Sequence, residues 1–190
     1  MPHINLEENV PGIRSLVMFR PDTGEHLYHL VQVLLRGSSS SLQAGEKELI
    51  AAYVSNRNGC MFCTNSHAAA SRCFYGHEKK LVDEVLTNLQ HAPVNDKLRS
   101  LLELAGKVQV SGEAVCQQDV NNARQAGASD EEIHDAVLIA ATFSMFNRYV
   151  DGLATYTPRD PGEYQLMGER MAGKGYVLPV PNATNSTNTT

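Results

Sequence analysis

Apolar residues recur every three or four positions through almost the whole of this 190-residue chain. No stretch alternates apolar and polar residues for the length of a strand. That periodicity restricts the fold to helices packed on helices. A helix is expected from about residue 25 to 36, with Leu27, Leu30, Val31 and Leu34 on one face. Gly37 and Ser38 to Ser41 make a loop after it. A second helix runs from about 45 to 56 and is broken by Asn58-Gly59; a third begins near Cys60 and ends around Tyr75-Gly76. The next spans 77 to 90 and stops at His91-Ala92-Pro93. Two more cover about 96 to 110 and 113 to 125. Ser129-Asp130-Glu131-Glu132 reads as a capping box that opens the most apolar helix, which continues to about Tyr156. After Pro158 and Pro161 a short polar helix is expected around 163 to 172. The fold class is therefore all-α, a bundle with short connections.

Composition narrows the partners. Acids outnumber bases 21 to 16 and the formal net charge is −5, so no nucleic-acid partner is expected, because phosphate binding needs a basic face. No apolar run approaches the ~20 residues of a membrane span. The segment Met1 to Glu8 lacks the basic and apolar regions of a signal peptide, so a cytoplasmic location is expected. In that compartment the four cysteines are expected to be free, catalytic or metal-bound rather than structural disulfides. Asn182, Asn185 and Asn188 open three consecutive glycosylation sequons. They are read as a product of an Asn/Thr-rich, flexible end.

The chemistry concentrates in Cys60-Met61-Phe62-Cys63-Thr64-Asn65-Ser66-His67, with Glu48 twelve residues before the first cysteine. Cys60, Cys63 and His67 stand at i, i+3 and i+7, one face of a helix. Both cysteines are expected in its first turn, where unpaired N–H groups and the helix dipole favour a thiolate. Glu48 and His67 lie at similar distances on either side of Asn58-Gly59. If the two helices fold back antiparallel, each residue is roughly 12–15 Å from the turn at ~1.5 Å rise per residue, so the two can meet. Glu48 would then orient His67, and His67 would take a proton from Cys63, directly or through a water. Glu46, on another face, competes for the carboxylate role and is expected to be solvated.

Each feature also has a plainer account. A Cys-x-x-Cys pair in a helix is often two small buried residues; the histidine and the carboxylate at a matching level favour chemistry here. Cys73 and Cys116 have no comparable partners. His26 and His29 form an i, i+3 pair without a nearby acid. Asn147-Arg148 reads as a capping and salt-bridge pair that ties its helix to a neighbour or to a second subunit. Cys60, Cys63 and His67, with Glu48 as fourth ligand, also have the donor types of a zinc site, although zinc sites usually set Cys-x-x-Cys in a knuckle. A non-catalytic redox sensor is a third possibility. A thioredoxin-like enzyme would need a βαβ setting that the pattern lacks. The leading expectation is an oxidoreductase that cycles a disulfide, with no bound cofactor.

Glu48 to Ser55, Asn58-Gly59-Cys60-Met61-Phe62-Cys63 and Ser66-His67, with Asn147 to Leu153, resemble the alkylhydroperoxidase D-like (AhpD-like) family. That family lies within the carboxymuconolactone decarboxylase superfamily, and the likeness is to its peroxidase-related branch. The resemblance implies an AhpD-like helical domain over residues 25–175, preceded by an arm over 1–24 and followed by a flexible tail over 176–190. It implies an antioxidant peroxidase. Cys63 would attack a hydroperoxide and become a sulfenic acid, Cys60 would resolve it, and His67 with Glu48 would form the proton relay. It also implies an obligate homo-oligomer and an external dithiol or protein reductant, a lipoyl-bearing protein in the best-known case. The lactone chemistry of the wider superfamily has no need of two cysteines. One departure stands out: the best-studied members of the family carry a histidine immediately before the second cysteine, where this chain has Phe62. An apolar mouth to the site is expected from it, and the lipoyl partner is put in doubt.

Overall fold

The computed structural model describes residues 1–38 and 40–178. All regular structure among them is helical: α1 (Ile13–Phe19), α2 (Pro21–Arg36), α3 (Ala44–Arg57), α4 (Met61–Tyr75), α5 (Lys80–Thr87), α6 (Asp96–Val110), α7 (Gln117–Gln125), α8 (Asp130–Gly152) and α9 (Pro161–Lys174), with short 3-10 turns after α4, α5 and α6. The sequons and most of the expected tail lie outside the described residues, as does Ser39 in the expected serine loop.

The differences from the sequence reading have local causes. α1 is only seven residues long and starts after Gly12 at φ 54°, too short for a periodic signal. α2 begins four residues earlier than expected because Pro21 occupies its first position, where a missing N–H costs nothing. α7 begins at Gln117 because Asp119 accepts from the backbone N–H of Cys116 and caps it there. α8 stops at Gly152 rather than near Tyr156, and Ala154 then sits at φ 48°. Its start is the expected capping box: the Glu132 N–H donates to Ser129 Oγ at 3.2 Å and the Ser129 N–H to Glu132 Oε2 at 2.9 Å.

α3 is the central helix. Ten of its fourteen residues, Gly45 and Lys47 to Ser55, are buried, so it has no polar face for solvent. Its outer surroundings are α4 on one side and α6 and α8 on another. The main core, with Leu49, Ile50, Leu101, Leu102, Ile139 and Phe143, lies between α3, α6 and α8. The charges α3 buries are paired: Lys47 Nζ donates to the Gly37 carbonyl at 2.7 Å and lies 3.8 Å from Asp135.

α3 and α4 fold back on each other through Asn58-Gly59, with Gly59 at φ 75°, a conformation that glycine adopts without strain. Asn147 of α8 holds this turn: Asn58 Nδ2 donates to Asn147 Oδ1 at 2.8 Å, and Asn147 Nδ2 to Ser55 Oγ at 3.0 Å. The tie to a neighbouring helix expected of Asn147 is thus an amide network. Arg148 instead donates to the Ser144 carbonyl one turn earlier, and forms no ion pair among the described residues. α9 crosses the outer side of α4, so that a second, smaller apolar cluster gathers Leu16, Cys60, Phe62, Cys63, Val150 and Met167.

Candidate active site

Cys60 is the N-cap of α4, not part of its first turn; its backbone is extended at ψ 96° and its N–H donates to the Ser55 carbonyl at 3.1 Å. Cys63 is the third residue of the helix. Both thiols are free, and both are buried, at 0% and 4% exposure. The expectation of a favoured thiolate fails for Cys60. A hydrogen bond with the Cys63 side chain, together with burial, pushes the Cys60 thiol far above its ordinary range. Cys60 and Cys63 lie near each other as two unbonded thiols.

The fold-back brings Glu48 of α3 and His67 of α4 together. His67 Nδ1 lies 2.7 Å from Glu48 Oε2, and Glu48 is fully buried. An ionised carboxylate can only accept, so Nδ1 carries the proton and Nε2 is left as the basic nitrogen. Phe143 packs edge-on against the imidazole with ring centres 4.5 Å apart. Among the described residues no hydrogen bond joins His67 directly to either sulfur, although Cys63 and His67 are neighbours one turn apart on α4.

Two residues complete the site that the sequence reading did not include. Arg36, at the end of α2, donates from Nη2 to Glu48 Oε1 at 2.5 Å, and Tyr176 donates its hydroxyl to the same oxygen at 2.6 Å. Arg36 also stacks over Phe74 and Tyr176, 5.1 Å from each ring centre. Burial alone would raise the Glu48 carboxyl, but His67, Arg36 and Tyr176 outweigh it and hold the group below its ordinary value. Burial, with the Glu48 charge beside it, pushes the Tyr176 hydroxyl well up, so that it stays a donor. Arg36 carried a signal in principle, as the last residue of a predicted helix with an acid on the next. Tyr176 carried none, since it lies at the start of the segment assigned to the tail; the ordered contacts of the domain extend at least to it.

The other candidates separate cleanly. Glu46 accepts from the Gln43 N–H at 2.8 Å and caps α3, away from His67. Cys73 and Cys116 are exposed. Phe62 is buried beneath Gly12 and tilted against Tyr164, so it does not form the open apolar mouth that was expected; it packs the floor under α1. Among the described residues no three His, Cys, Asp or Glu side chains converge as a set of metal ligands, and His67 Nδ1 is spent on Glu48. A cleft of about 760 Å³ lies beside Cys73 between α4 and α9, but the paired thiols and His67 do not line it. No helix among the described residues is long and apolar enough to cross a membrane.

No protein-family model and no curated protein matches the chain by sequence. Solved structures do match it. A structure described as the alkylhydroperoxidase AhpD core of an uncharacterized peroxidase-related protein from Ralstonia eutropha JMP134 superposes with a TM-score of 0.73 at 28% identity, over 84% of this chain and 81% of that one. An uncharacterized peroxidase-related protein from Silicibacter sp. TM1040 gives 0.73 at 27% identity, over 82% and 79%. A protein of unknown function from Agrobacterium tumefaciens, whose description includes antioxidant defence protein AhpD, gives 0.65 at 22% identity over 84% of this chain and 100% of that one, a likeness of fold alone. The chain has an AhpD-like fold, and two of its structural neighbours are described as peroxidase-related proteins.

Proposed function

We propose that this chain is a thiol-dependent peroxidase that reduces organic hydroperoxides through Cys63 and Cys60, in line with the peroxidase-related descriptions of two structural neighbours. The observation that carries the reading is the buried Glu48–His67 hydrogen bond on the two helices that flank the dithiol. In the first step the Cys63 thiolate attacks the terminal oxygen of ROOH. The O–O bond breaks, Cys63 becomes a sulfenic acid, and the alkoxide leaves as ROH after taking a proton. His67 Nε2 takes the Cys63 proton through a water and returns one to the leaving oxygen. In the second step Cys60 attacks the sulfenic sulfur, water departs, and the disulfide closes. The raised Cys60 thiol, caused by its neighbour Cys63 and by burial, supports its place as the second sulfur to react. An external dithiol returns the pair to thiols, and the enzyme works as a homo-oligomer; both belong to the proposal through the family resemblance.

Turnover of cumene hydroperoxide with dithiothreitol tests the reading. Cys63→Ser is expected to abolish turnover, and Cys60→Ser to allow one oxidation of Cys63 to a trappable sulfenic acid without a second cycle. Equal rates for wild type and Cys63→Ser would overturn it. The near-complete burial of both sulfurs favours one second reading, a redox sensor: slow oxidation without turnover, accompanied by a change in assembly, would identify it.

A further inference from the structure

Beside His67 lies a cavity of about 40 Å³ whose lining includes Arg14 of α1, Arg170 of α9 and Tyr28 of α2. The volume is close to one water's share of the liquid, ~30 Å³, and suits a group of a few atoms. Its apolar wall is Ile13, Phe62, Met167 and Met171. The two arginines form no ion pair and donate no side-chain hydrogen bond among the described residues, and the Arg14 Nε is buried without any partner. Shortage of carboxylates does not explain this, because the chain has 21 acids against 16 bases. Two guanidinium groups with no ion pair among the described residues at one small cavity repel each other and are partly stripped of water.

We infer that this cavity is a carboxylate-binding site, and that the hydroperoxide the enzyme reduces bears a carboxylate that Arg14 and Arg170 hold beside His67. Planar guanidinium groups match a carboxylate with paired donors, and an anion between them cancels their repulsion. Burial and the Arg14 charge both pull Arg170 below the ordinary guanidinium value, a cost that a bound anion removes. Burial raises the Tyr28 hydroxyl, which keeps it a donor towards the same anion. The apolar wall suits the carbon chain next to the carboxylate. His67 lines this cavity, and Cys63 is about one helical turn away, about 6 Å of rise. A carboxylate held here would stand about one helical turn from the Cys63 position on α4.

The inference rests on the peroxidase reading, and the test separates the two. A short hydroperoxy acid, with its peroxide only a few carbons from the carboxylate, and its methyl ester are compared with dithiothreitol as a neutral reductant. Wild type is expected to prefer the acid by about tenfold or more in kcat/KM, the scale of one charge-assisted contact. In the Arg14→Gln/Arg170→Gln double variant that ratio is expected to fall to about one, and with lysine at both positions to be largely restored. Calorimetry with octanoate, against octanol, reads the site without turnover in wild-type protein. Octanoate binding with no turnover of any hydroperoxide would leave the site and overturn the peroxidase. Turnover of acid and ester at equal kcat/KM, with no octanoate binding, would leave the peroxidase and overturn the site. A carboxylate effect that follows the reductant, seen only when dithiothreitol is replaced by a carboxylate-bearing dithiol, would overturn the assignment to the hydroperoxide.

Discussion

Glu48 is the residue on which the site turns, because it is fully buried and still held as a carboxylate. Three donors make this possible: His67 on one oxygen, Arg36 and Tyr176 on the other. A pH dependence follows with a definite sign. The folded-state value of Glu48 is lowered from its ordinary 4.5, so its contribution to stability is fully present above about pH 4.5. It is lost as the pH falls through the lowered value, where the native state must take up the proton. Thermal melts of wild type and Glu48→Gln across the acid range check this. The variant is expected to be less stable at neutral pH by about 3–5 kcal/mol, the scale for breaking a buried ion pair, and to lose less further stability on acidification. Parallel melting curves would show that Glu48 is not ionised in the fold. The meeting of Glu48 with His67 could be read in the sequence, because both sit at similar distances from Asn58-Gly59. The state of Cys60 could not: its extended cap geometry and its nearness to Cys63 depend on where α4 begins, and boundaries shift by a residue or two.

The helix that presents this chemistry, α4, is held by close approaches rather than by a broad apolar stripe. Its inner side meets α3, with the Ser71 hydroxyl donating to the Gly45 carbonyl at 3.0 Å. Its outer side meets α9 at Gly168, where a Cβ would lie 2.6 Å from the Ala69 carbonyl carbon. That contact involves backbone and cannot yield by a side-chain rotation. Gly168→Ala gains up to ~1 kcal/mol in helix propensity. Overpacking typically costs about 1–3 kcal/mol, so the net effect is expected to be destabilising. Gly173, in the same helix, has no atom within 4 Å of an added Cβ, so Gly173→Ala is expected to gain about 0.5–1 kcal/mol. Denaturant midpoints of the two variants should move in opposite directions; movement the same way would mean that α9 does not press on α4 at Gly168. In the sequence these two glycines look alike, for the distinction lies in a crossing between helices about a hundred residues apart. α2, α6 and the start of α8 were easier to read, since each advertises a periodic face or a capping residue within its own segment.

At the scale of the whole molecule, the dithiol is a closed site assembled from both ends of the chain. Leu16 of α1, Val150 of α8 and Met167 of α9 pack with Cys60 and Cys63, and α1 was invisible to periodicity because seven residues make less than two turns. Any reagent therefore reaches the sulfurs through a local opening of this cover, whose free energy sets the reaction rate of the buried pair. A count of thiols over time makes that visible. With an aromatic disulfide reagent on reduced protein, two of the four thiols are expected to react promptly, Cys116 first. Cys73 should follow, because partial burial and the nearby Glu169 raise its thiol. Cys60 and Cys63 should react slowly. Leu16→Ala removes a side chain that is 1% exposed, at a cost of about 2–5 kcal/mol for a buried leucine. Because that loss falls on the cover, the variant is expected to speed the slow pair while leaving Cys116 unchanged. If all four thiols of the wild type react at one rate, the cover does not protect the pair. If Leu16→Ala accelerates Cys116 as much as the pair, the variant loosens the fold globally and α1 is not the part that opens.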